Sequence, residues 1–85
     1  MARQNTAHPI MIEDFKALKK RGIKDFYLGV IVKGQYKGTQ TRHTAQGVSS
    51  FANQMYVKYG FGTDVTVTYY DPEKMDFVLY TTYSA

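Results

Sequence analysis

DFYLGVIVKGQYKGTQTRH, residues 25–43, carries the reading that decides the fold. Phe26, Leu28, Val30 and Val32 alternate with Tyr27, Gly29, Ile31 and Lys33. Period-two alternation makes this a strand, with apolar groups on both of its faces at the centre. GQYKG (34–38) reads as a turn, and TQTRH (39–43) as extended chain that is polar on both sides. Such a segment suits an edge strand or a mobile hairpin arm, because polar edges discourage pairing with other chains.

Working outward, IMIEDFKALKKRG (10–22) reads as a helix. Met11, Ile12, Phe15 and Leu18 recur at helical spacing, Pro9 suits a first turn, and Gly22 suits a stop. Acids near its start and Lys19, Lys20 and Arg21 near its end complement the helix dipole. On the other side, Thr44 can cap a second helix whose buried stripe is Val48, Phe51, Ala52, Met55 and Tyr59. TDVTVTYY (63–70) and DFVLYTTYS (76–84) then form a hairpin about a Pro72 turn. The expected fold is α+β, in the order α-β-β-α-β-β. Its four-stranded antiparallel sheet has both helices on one face and an open face of tyrosines and threonines. Residues 1–8 are expected to be a flexible N-terminus and residues 9–85 one domain. The second helix with the last two strands is expected to be the tightest part.

The chain has 85 residues, is 44% hydrophobic and contains no cysteine, which favours a folded protein of a reducing compartment, read here as cytoplasmic. No apolar run approaches the roughly 20 residues of a membrane span, so no membrane partner is expected. Charge is segregated. Residues 1–42 hold nine cations and three acids, residues 43–85 two cations and four acids, so the halves carry +6 and −2. No acid occurs between Asp25 and Asp64. An electropositive face follows, although solubility alone can also explain a small net charge.

The candidate nucleic-acid contacts are Lys16, Lys19, Lys20, Arg21, Lys24, Lys33, Lys37 and Arg42, which could track a phosphate backbone. Thr39 could donate to phosphate or ribose oxygens, Tyr36 could stack on an unpaired base, and His43 adjoins Arg42. A solvated helix face explains Lys16 and Lys19 equally well, and a polar hairpin tip explains much of the arm. Tyr27, Tyr69, Tyr70, Tyr80 and Tyr83 exceed what a core needs and suit bases, a protein partner or one another. His43 beside Arg42 also permits a small ribonuclease by general acid–base chemistry. A metal cluster, a phosphate loop and a dinucleotide fingerprint are all missing from the sequence, so no cofactor is expected.

With IEDFKALKKRG and KGQYKGTQTRH as its basic segments, the chain resembles the small, basic, single-domain accessory proteins of T4-type phages. Among these it resembles the TifA-type inhibitors of the RNA-cutting toxin ToxN. That resemblance implies an RNA-dependent inhibitor of a host toxin or nuclease. The expected function is therefore non-enzymatic RNA binding in a counter-defence role, with RNA and a host toxin or nuclease as partners, as monomer or dimer. The alternative is a protein–protein inhibitor that uses the tyrosine-rich face or the TQTRH edge.

Overall fold

A computed structural model describes residues 9–84, with side chains from Met11 onward. The expected flexible residues 1–8, His8 among them, lie outside the described residues. The elements are α1 (Pro9–Lys20), β1 (Phe26–Val32), β2 (Gln35–Arg42), α2 (Ala45–Tyr59), β3 (Thr63–Asp71) and β4 (Asp76–Ser84). They form the expected α-β-β-α-β-β fold, with one antiparallel sheet in the order β2-β1-β3-β4. Each α-β-β unit thus gives its first strand to the centre of the sheet and its second to an edge.

The core sits on one face of the two central strands. Phe26, Leu28 and Val30 alternate inward on β1, and Val65 and Val67 do so on β3. Leu28 stands opposite Val67 and Val30 opposite Val65. α1 covers this strip with Phe15, whose ring stacks on Phe26 at 3.9 Å between centroids, and with Leu18. α2 covers it with Val48, Phe51 and Ala52. Both helices therefore lie on one face. Thr44 caps α2 by accepting a hydrogen bond from the Gly47 amide at 2.9 Å, and Gly60 closes it with φ +77°.

Two expectations change. β4 is an edge strand in which no residue is fully buried, so of the expected tight part α2 and β3 belong to the core while β4 does not, and central β1 takes its place. The turn after β1 is also shorter than GQYKG. Lys33 and Gly34 alone make it, both with positive φ (50° and 81°), the backbone that a two-residue hairpin needs. QYKG belongs to β2, where a bulge inserts Lys37 as an extra residue between the pairs Val30–Gly38 and Ile31–Tyr36.

The tyrosines divide between the faces. Tyr69, Tyr80 and Tyr83 pack on the helix side against the core. The Tyr80 hydroxyl donates to Asp14 at 2.6 Å, and burial together with that carboxylate pushes its phenol up. Tyr27, Tyr36 and Tyr70 are on the open face with Phe77, whose ring meets those of Tyr27 and Tyr70 edge-on. Thr66, opposite on β3, explains Gly29. A methyl group there would stand 2.9 Å from Thr66 Oγ1 and 3.9 Å from the Tyr36 ring, which leans across the gap and hydrogen-bonds to Thr39.

The lower end of the sheet is closed by an ion pair. Arg21, just past α1, donates to buried Asp71 at the end of β3 at 2.9 Å and approaches Glu73 at 3.6 Å. The guanidinium hydrogen bond, helped by the Glu73 amide, holds the Asp71 carboxyl below the usual carboxylate range.

Phe26→Ala should destabilise the domain by about 3–5 kcal/mol in urea unfolding, because it removes a fully buried ring from the central strand. Leu79→Ala on the β4 edge should change stability by about 0.5 kcal/mol at most; equal losses would place the core wrongly.

Asp71 also predicts a pH dependence. Its folded value lies below the unfolded value of about 3.9, so its contribution is complete above that pH. It is lost as pH falls through the depressed folded value. Asp71→Asn should therefore lower Tm near neutral pH, and the gap from wild type should close on acidification below about pH 4. A gap constant with pH would contradict a pairing role for the carboxylate.

Candidate nucleic-acid interface

Three consecutive elements, β1, β2 and α2, lie within the stretch between Asp25 and Asp64 that contains no acid. The fold turns this linear fact into a surface. β2 is an edge, α2 covers the neighbouring central strands on the helix face, and between β2 and α2 runs a groove of about 190 Å³. Lys37 and Gln40 of β2 face Lys58 of α2 across it, over a floor that includes Val30, Phe51 and Met55.

The bulge and a glycine create the groove. As the extra residue of β2, Lys37 is turned toward α2. The next residue, Gly38, stands opposite core Val30 and has no side chain to cover it. A methyl group at Gly38 would meet nothing within 4 Å.

Two of the cations rest on aromatic rings. The Arg42 guanidinium lies 4.9 Å from the centre of the Phe51 ring and also donates to the Thr41 carbonyl at 2.8 Å. The Lys58 ammonium lies 5.2 Å from the centre of the Tyr59 ring. Such contacts hold a charge in place without neutralising it, so the groups keep donors for an anion.

The other candidates separate into groups. Lys19, Lys24 and His43 line a shallow hollow of about 450 Å³ at the end of the sheet, with Asp25 and Thr44. Here His43 Nδ1 lies 3.0 Å from Asp25 Oδ1, an exposed pair. A carboxylate so placed can orient an imidazole. Lys16 pairs with Glu13 at 3.6 Å on the exposed side of α1, where Lys20 is also exposed. Lys33 is in the β1–β2 turn, where its amide donates to the Gly62 carbonyl at 2.8 Å. Arg21 must be revised, because its charge is already engaged by Asp71 and Glu73 in holding α1 to the sheet.

The arm itself is split by the strand pleat. Lys37 faces the groove, whereas Tyr36 and Thr39 are on the open side, hydrogen-bonded to each other. Tyr36 therefore does not share a surface with Lys37, as the linear segment suggested. Lys58 and Gln40 are polar groove residues that sequence reasoning missed. Two signals point to Lys58: the acid-free span runs past it, and it follows Met55 by three residues on the same helix face.

Acids collect on the opposite half of the sheet, where Asp64, Asp71, Glu73 and Asp76 accompany a single cation, Lys74, in residues 61–85. Among the described residues, no three His, Cys, Asp or Glu side chains are grouped to hold a metal ion, and no helix is long and apolar enough to cross a membrane. In comparisons with known proteins, no family model, no curated protein and no solved structure matches the chain.

Proposed function

We propose that this chain is a non-enzymatic RNA-binding domain that engages phosphates along the β2–α2 edge. The observation that carries this proposal is the acid-free β1-β2-α2 unit, which gathers Lys37, Arg42 and Lys58 on one edge with no carboxylate from the same stretch to repel a polyanion. Lys19 and Lys24 add two cations around the end of the sheet, beside the His43–Asp25 pair. The resemblance to T4-type phage accessory proteins supplies the biological role: inhibition of an RNA-cutting toxin or nuclease in the host cytoplasm, within an RNA-containing complex. A second proposal is a protein–protein inhibitor without nucleic acid. It is favoured by the exposure of Tyr70, Phe77 and Leu79 on the open face (41%, 58% and 59%).

Salt dependence tests the first proposal. Each phosphate contact on a single strand contributes about 0.7 to the slope of log K against log salt. Lys37→Ala combined with Lys58→Ala should weaken binding of single-stranded RNA and reduce the slope by about 1.4. Lys74→Ala, in the acidic β3–β4 turn, should leave the slope unchanged. Equal slopes for wild type and the double variant would remove the β2–α2 edge from the interface and favour the open-face inhibitor.

A further inference from the structure

Lysines on a polar edge need only phosphate, yet the floor between them is apolar. Val30 and Phe51 are 4% and 5% exposed and lie beneath the groove, with the half-buried Met55 and Tyr59 beside them. Val30 and Phe51 serve the core, so it is the half-buried Met55 and Tyr59 that leave apolar surface open in the groove. The opening is also local. It lies where β2 presents Gly38 opposite Val30, so that roughly one side chain's worth of space is left over the core. Gln40 stands at the rim with an amide that can both donate and accept.

On the RNA-binding reading above, we propose that this groove takes one unpaired nucleobase from the strand whose phosphates Lys37 and Lys58 hold. The base packs on Met55 and Tyr59 over the Gly38 gap, and Gln40 meets its polar edge. Lys37 and Lys58 flank the opening, so a phosphate on either side of the inserted nucleotide finds a cation. In a duplex each base is stacked and paired and cannot enter without being extruded. The protein therefore selects single-stranded RNA. Charge complementarity gives the polyanion, and the apolar floor gives the unpaired base.

The test compares two ligands with the same phosphates, a short oligouridine and an abasic ribose-phosphate chain of equal length. Both are titrated against the full wild-type chain, with a duplex of the same length as a third ligand. Oligouridine should bind about five- to 150-fold more tightly than the abasic chain, the range expected of one stacked base. The duplex should also bind more weakly than oligouridine. Because the chain has no tryptophan, Tyr59→Trp places a single reporter in the groove. Its fluorescence should be quenched by oligouridine and not by the abasic chain.

Equal, salt-dependent affinity for the uridine and abasic chains would overturn the base site and leave phosphate binding intact. Duplex binding as tight as that of oligouridine would overturn strand selection. Failure of all three ligands to bind at low salt would overturn RNA binding itself, and the base site with it.

Discussion

Five side chains on one face of two strands, Phe26, Leu28, Val30, Val65 and Val67, are the constraint on which the rest of the domain depends. None is more than 4% exposed. Burying such a strip needs a cover, and the apolar stripes of α1 and α2 supply it from the same side. A chain this small has one face's worth of core and little more. The outer strands are left to contribute edges and surface, and the open face carries only ring contacts such as those of Phe77 with Tyr27 and Tyr70. The tight stack of Phe15 on Phe26 ties α1 to this strip, and the contacts of Tyr80 and Tyr83 with α1 extend it to β4.

That division of labour sorts the charges. β2 and α2, freed from the centre of the core on their outer sides, carry cations and no acid. The β3–β4 half carries the acids, one of which, Asp71, is used for architecture. The two edges of the sheet thus differ in charge, β2 with α2 being cationic and β3–β4 acidic, while α1 carries further exposed lysines at Lys16, Lys19 and Lys20. Two cations rest on aromatic rings, so holding them in place costs little additional side-chain entropy when an anion arrives.

Much of the fold was legible because its signals are local. Alternation in FYLGVIV and DVTVTYY, the helical spacing of Met11, Phe15 and Leu18, and the cap at Thr44 each operate within a few residues. What was not legible depends on pairing between distant segments. Nothing local to DFVLYTTYS says that it is an edge while FYLGVIV is central, since both alternate well. The Arg21–Asp71 pair joins residues fifty positions apart, and in the sequence Arg21 looks like any other cation of its run. The strand pleat puts Tyr36 and Lys37 on opposite faces, and the bulge at Lys37, which shifts the register by one residue, decides which of them faces α2. Lys58 was hidden for a similar reason: only the packing of α2 over the central strands puts it on the same groove as Lys37.

On the proposed function, nucleic acid meets this domain at the β2–α2 edge and not on the open sheet. Amide chemical shifts of the isotopically labelled chain, followed while a short single-stranded RNA is added at low salt, test it most directly. The shifts should concentrate in β2 and the second half of α2, around Lys37, Gln40 and Lys58, and should fade as salt is raised. Shifts centred on Tyr70, Phe77 and Leu79, or no shifts at all, would contradict it.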